Sequence, residues 1–331
     1  MALVLLIHYI PSRGAPSPES IRTDFWDTLL NLELRSIAFV CVNCFVLISG
    51  YFGIRWKVKS FSGLIFQIAF WLLAGVLISK VLDSSSFSDW FSSCYEYIRA
   101  RWFISAYLCL YILAPMINDF ADRRSQRQLG IYILVFYIFS TIYGYLCLAK
   151  EFNEGMSMIS LIGIYLTGTY IRRYSLRITS FSAKTNFLVY MLLGIALVIC
   201  NVLFLEAGIS KSLYGYLNPL VLLSSIYLFL FFKKINIGYN RYINYVAASA
   251  FAVYLFHMHP MIYGHYQKIC TNINQYGEWT FLLLIAFFIG IFVFCTIVDH
   301  IRIALFNGLS SLLDKSPWAR SNNSYESPAG S

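Results

Sequence analysis

The chain has 331 residues, of which 59% are hydrophobic and only 12% charged, with a mean hydropathy of +0.64. A water-soluble domain carries roughly twice that share of charge, so composition excludes a soluble globular protein. The formal net charge of +9 invites a nucleic-acid reading, but the cations are dealt out loop by loop along the chain and no nucleic-acid partner is expected.

Met1 to Ile10, MALVLLIHYI, is apolar but too short to cross a bilayer, and it reads as the outer half of a first helix whose inner half is missing. A polar loop is expected over 11–34. The stretch that organises the rest follows: about nineteen mostly apolar residues from Ser36 to Ile54, enough to span. It ends in Ser49-Gly50-Tyr51-Phe52-Gly53, where small residues let another backbone or a ligand come close. A cationic hook comes next, Arg55-Trp56-Lys57-Val58-Lys59, able to set topology or to meet the phosphates of a lipid or a cofactor. Further spans are expected at 61–82, 102–120, 129–148, 156–171, 186–206, 215–232, 243–263 and 279–299. The fold class is therefore an all-α polytopic transmembrane bundle of about ten helices, the first truncated. The span 156–171 is short, and Gly163 and Gly168 give it a small-residue face for packing. Residues 300–306 read as an amphipathic stub at the inner interface, and the polar segment beyond them as a tail without packed structure. The expected organisation is one transmembrane domain, 1–306, and a cytoplasmic tail, 307–331.

Loop charge orients the bundle. The loops after the second, fourth, sixth and eighth spans and the C-terminal tail carry sixteen of the 25 Lys and Arg residues, whereas the alternate loops carry most of the acids. By the positive-inside rule the cation-rich side, with the C-terminus, is cytoplasmic.

Several residues inside this apolar frame can carry chemistry. His8 lies on the first helix, below its outer end; an ionisable side chain there is costly, and a near-neutral imidazole suits a general base. His257 and His259, in FHMHP before Pro260, point to different faces of a helix and make a poor metal pair, so structural hydrogen bonding is expected of at least one. Trp102 begins a span at its outer end, and Tyr107 and Tyr111 share one helical face behind it, a polar stripe that lines a cleft or bonds a neighbouring helix. Arg99 and Arg101 on the same side can meet an anionic saccharide or a lipid headgroup. Six of the eight cysteines fall in spans and read as small hydrophobes; Cys41 and Cys44 form a CxxC with no second ligand pair, so no metal is expected, and Cys94 and Cys270, both in loops, are the pair that could form a disulfide.

In this order, the pieces resemble the acyltransferase 3 family of integral membrane acyltransferases, and within it the bacterial polysaccharide O-acetyltransferases. The matching points are His8, the FVLISGYF run before the basic hook, WFISAYLCLYILAPMIN from Trp102, IYLTGTYIRR from Ile164, AFAVYLFHMHP from Ala250 and VDHIRIALF from Val298. The resemblance implies transfer of an acyl group, usually acetyl, from cytoplasmic acetyl-CoA or another acyl-CoA co-substrate to a hydroxyl of a cell-surface or lipid-linked polysaccharide. It implies a multi-pass protein of the bacterial cytoplasmic membrane, with membrane lipids and a glycan acceptor as partners. His8 matches the family's first-helix histidine, the expected catalytic base, and Arg55 and Lys57 match its basic pair, expected to hold the CoA phosphates. Ser49 and Gly50 would let the pantetheine arm pass, through a channel closed by Tyr107 and Tyr111, and Trp102, Tyr107, Tyr111 and His257 would meet substrate. The family pattern also has an arginine eleven positions before its histidine, whereas seven residues precede His8; either the start lies upstream of Met1 or the chain is a shortened member. The alternatives are a transporter or flippase for a lipid-linked sugar, with His8 and His257 in a proton relay, and an inactive accessory subunit of polysaccharide assembly. Transporters of that kind usually show paired broken helices from inverted repeats, and none is evident here.

Overall fold

The computed structural model describes residues 1–82, 92, 95–97, 101–174, 177–209 and 212–314, and among these the chain is helical with no strand. A backbone in hydrocarbon must satisfy its own polar groups, and a helix does so within one segment. Six described stretches are long and apolar enough to cross a bilayer: Phe25–Phe52, Val58–Val81, Trp102–Asp122, Gln126–Leu146, Ala183–Glu206 and Pro260–Leu312. The all-α polytopic bundle expected from the sequence is present.

Its first elements depart from expectation. α1 (Ala2–Tyr9) is the short apolar helix, extended by a tight turn at Ile10–Arg13. The segment 11–34, expected as a loop, is helical from Phe25: α2 (Phe25–Ala38) starts where the Asp24 carboxylate accepts from the Asp27 N–H. The central span is accordingly two helices, with a turn at residues 39 and 40 before α3 (Cys41–Phe52). Polarity misled here because it is used inward. Asn31 is buried, donating to the Gly14 carbonyl at 3.0 Å and accepting from Arg35 at 2.8 Å.

The next helices match the apolar runs: α4 (Val58–Leu82), α5 (Trp102–Asp122), α6 (Gln126–Phe139), α7 (Met158–Arg173), α8 (Ala183–Glu206) and α9 (Pro219–Lys234). A capping box of Ser125 and Gln128 opens α6, and Asn218 with Pro219 opens α9. The span expected over 243–263 is broken at Ser249, between α10 (Arg241–Ala248) and α11 (Ala250–His257), and again before α12 (Pro260–Ile273), where Pro260 lacks the N–H needed to continue α11 and instead begins the next helix.

α13 (Thr280–Asp314) continues as one helix through 300–306. The charges at which the span was expected to end are neutralised inside. Asp299 is fully buried, pairs with Arg302 at 2.8 Å, and also accepts from Trp71 at 2.9 Å and Gln67 at 3.2 Å on α4. The rest of the expected tail, beyond 314, lies outside the described residues.

The bundle turns on one crossing. α3 lies against α7, where a Cβ on Gly50 would stand 2.0 Å from the Tyr165 carbonyl oxygen and one on Gly168 2.3 Å from that of Leu47. Thr169 seals the contact by donating to the Gly50 carbonyl at 3.1 Å. At one end of α3 the cation-bearing loops converge: Arg172 donates to the Phe52 carbonyl at 3.0 Å, Arg173 pairs with Asp122 at 2.9 Å, and Lys233 lies 5.0 Å from the Tyr51 ring centroid. At the other end α1 is tied down, with Arg13 paired to Asp27 and the Tyr9 hydroxyl donating to Asn274 at 2.6 Å. Gly50→Val should force α3 and α7 apart and cost about 1–3 kcal/mol through overpacking. The check is thermal loss of monodispersity in detergent, with Gly264→Ala, which meets nothing within 4 Å, as the unchanged control.

Candidate active site

Four elements meet around His8. α1 carries it, α11 ends on His257, α5 begins beside it, and the first turns of α3 close the wall. The ring nitrogen Nδ1 of His8 lies 3.0 Å from Nε2 of His257. His257 is fully buried, and its own Nδ1 meets the Val253 carbonyl one turn back. α12 holds α1 in register by donating from Gln267 to the His8 carbonyl and from the Tyr266 hydroxyl to the Leu5 carbonyl, the latter at 2.7 Å. The sequence separation between His8 and His257 is 249 residues, so only the fold unites them.

The His8 ring faces a cavity of about 110 Å³ whose walls include Phe45, Arg101, Trp102, Tyr216 and Tyr254. Trp102, expected to meet substrate, and Arg101, expected to meet an anionic saccharide or a lipid headgroup, both line this cavity. The Arg101 guanidinium stands 5.3 Å over the Tyr263 ring, and its buried Nε has no hydrogen-bond partner. A cation beside a histidine in a mostly apolar cavity suits an anionic or charge-developing group. Arg99 lies outside the described residues.

A second, larger cleft of about 540 Å³ shares Met1, Val4, Cys41 and Phe45 with the first. It follows α3 between α1 and α9, past Ile48 and Phe229, and reaches Phe52 and Lys233 at the cationic end. From Cys41 to Phe52 the helix rises about 17 Å. The cleft from the cation-bearing end and the His8 cavity therefore adjoin at these shared residues.

Neither Tyr107 nor Tyr111 lines that cleft. The Ser49 hydroxyl lies 3.2 Å from that of Tyr107, whose ring packs among Phe45, Phe103 and Phe251. Tyr111 sits 6.0 Å from Trp56 and 5.7 Å from Phe61, beside the hook. The open side of Gly50 is filled by α7, which gives this glycine a packing reason of its own. Arg55 and Lys57 are exposed at the end of α3.

The hook is held by two residues that sequence reasoning did not single out. Ile54 donates its N–H to the Tyr165 hydroxyl at 2.8 Å and accepts from Asn118 at 2.9 Å; Tyr165 in turn donates to Asn118 at 2.9 Å. An amide near the end of an apolar helix was the available signal. His259 has a structural part, as expected of one of the pair: it caps α12 by accepting from the Met261 N–H at 3.2 Å, in a space that Gly75 leaves open. Cys270 is a free, buried thiol, and its suggested partner Cys94 lies outside the described residues. No group of three or more His, Cys, Asp or Glu able to hold a metal occurs among the described residues.

Tyr165→Phe removes the acceptor of the Ile54 N–H at a cost of about 1 kcal/mol. Trypsin should then cut detergent-solubilised protein at Arg55 and Lys57 roughly 5-fold faster than wild type, since cleavage follows the population of the opened segment.

No curated protein and no solved structure matches the chain. A family model described as an acyltransferase domain matches residues 1–300, which takes in α1 with His8, the hook and the His257 helix. With that match over nearly the whole chain, and six stretches able to span a bilayer, the protein belongs to the acyltransferase 3 family of membrane acyltransferases.

Proposed function

We propose that this protein moves an acyl group, acetyl in the simplest case, from an acyl-CoA at the cationic end of α3 to a hydroxyl of a cell-surface or lipid-linked polysaccharide at the His8 end. The observation that carries the proposal is an apolar cleft running from Lys233 and Phe52 to Met1, Val4, Cys41 and Phe45, the residues it shares with the cavity that His8 faces. Arg55 and Lys57, exposed beside its mouth, would hold the CoA phosphates, Arg through its bidentate fork and Lys as a point charge. With the cation-rich side cytoplasmic, the donor enters from the cytoplasm of a bacterial cell and the acceptor from the far side. The route runs along α3 between α1 and α9, and no longer past Tyr107 and Tyr111. Ser49 and Tyr107, bonded to each other, support the wall of α3 behind it.

At the meeting point the acceptor hydroxyl oxygen attacks the thioester carbonyl carbon while His8 takes the hydroxyl proton. The carbon–sulfur bond breaks, the ester forms, and the proton passes from His8 to the departing thiolate. Arg101, in the same cavity, faces the negative charge that develops on the carbonyl oxygen. Trp102 offers an aromatic face to a sugar ring.

The contact between His8 and His257 is also what a proton relay for sugar transport would use. Membership in an acyltransferase family favours transfer. Mass spectrometry of surface glycans from cells carrying the wild-type chain, His8→Ala or empty vector separates the readings. An acetyl-sized mass gain with wild type that falls about 10²–10⁴-fold with His8→Ala is the expected result. A gain that persists in full without His8 would overturn its role. No gain from the wild-type chain in a host that makes the acceptor would favour transport or an accessory part.

A further inference from the structure

Two imidazoles in contact, His257 fully buried and His8 half-buried, have to agree on where their protons lie, and the acceptor beside them leaves one arrangement for a neutral pair. The Val253 carbonyl has only lone pairs, so the His257 nitrogen that meets it, Nδ1, carries that ring's proton. His257 Nε2 is then bare. It faces His8 Nδ1 at 3.0 Å, a distance at which two bare lone pairs repel, so His8 Nδ1 is the donor. With its one proton on Nδ1, neutral His8 keeps Nε2 bare, and His8 is the member of the pair that lines the cavity.

We propose that His257 is the positioning residue that holds the His8 proton on Nδ1 and so makes Nε2 the atom that receives the acceptor's proton. The catalytic half of this statement rests on the acyl-transfer reading; the position of the ring proton does not. When His8 Nε2 takes up a proton, Nδ1–H still donates to the bare Nε2 of His257, so the same contact orients the base and stabilises its charged form. A carboxylate does this work in a Ser-His-Asp triad. Here a neutral imidazole does it: among the described residues no Asp or Glu bonds to either ring, and the rings of Tyr254, Tyr263 and Tyr266 stand around the pair. A neutral orienting group adds no buried charge to the membrane interior.

The test reads the protons directly. Full-length protein with isotope-labelled histidine, in lipid bilayers, has five imidazoles to resolve by the nitrogen shifts in solid-state NMR, and His8 is identified as the signal lost in His8→Ala. The expected wild-type His8 is a single tautomer, protonated at Nδ1. A wild-type His8 protonated at Nε2 would overturn the proposal, and this measurement needs no change at His257. His257→Phe should leave His8 as a mixture of tautomers and lower kcat about 10–100-fold with KM for the donor unchanged. His257→Gln, whose Oε1 can accept from Nδ1–H, should restore the single tautomer and most of kcat. Unchanged kcat in a folded His257→Phe protein would refute the positioning role. If the wild-type tautomer is as expected but no transfer is found, the ring-proton assignment stands and the acyl-transfer reading is what fails.

Discussion

Gly50 and Gly168 bring two helix backbones into contact, and the geometry of both ends of the protein depends on that contact. Lipid gives helices little hydrophobic reason to associate, so close packing and internal hydrogen bonds have to hold them. A glycine on each partner allows the Tyr165 and Leu47 carbonyls to sit where side chains would otherwise be, and Thr169 adds a hydrogen bond across the gap. The helix fixed in this way, α3, supplies Cys41, Val42 and Phe45 to the His8 cavity with its first turns and leads into the Arg55 hook with its last. Tyr165, on the partner helix, reaches over to hold Ile54. One contact therefore sets the spacing between a basic patch and an imidazole.

The interior answers the problem of buried polarity in two ways. Asp299 is charged, fully buried and saturated: Arg302, Trp71 and Gln67 use up its oxygens, so it ties α4 to α13 and has nothing left to offer. His8 is bonded through one ring nitrogen only, and the cavity beside it also contains a guanidinium with an unpartnered nitrogen. Asp299 is thus spent on holding helices together, whereas His8 and Arg101 keep hydrogen-bonding capacity that nothing beside them uses. Asp299 and His8 are both ionisable residues inside the membrane domain, and their partners, more than their burial, separate their roles.

Much of this was legible in the sequence. Apolar runs placed most helices, the charged loops do converge at one end, and His8 stood out as an ionisable residue on an apolar helix. The failures share a cause. Asn31, Asp299 and Arg302 are polar residues that meet partners inside, so polarity suggested loops and ends where the helices continue. Pro260 announced a perturbation, but not that α11 would stop on His257 and aim it at His8. The pairing of His8 with His257, the entry of Arg101 into the cavity and the hold of Tyr165 and Asn118 on Ile54 join residues far apart in the chain, and periodicity has no access to them.

The same long separations bear on how the protein is made. α1 leaves the ribosome well before α11 and α12, yet apart from the early Arg13–Asp27 pair the side chains that hold it, His257, Tyr266, Gln267 and Asn274, belong to the last third of the chain. Domains form from the N-terminus during synthesis, and contacts of high sequence separation form late. Until α12 has been inserted, α1 therefore has its early neighbours to rest on, α2 and α3, and lacks the hydrogen bonds that come from α11 and α12. A ribosome that stalls before residue 257 therefore leaves the cavity beside His8 without the second imidazole and the helix that brings it there.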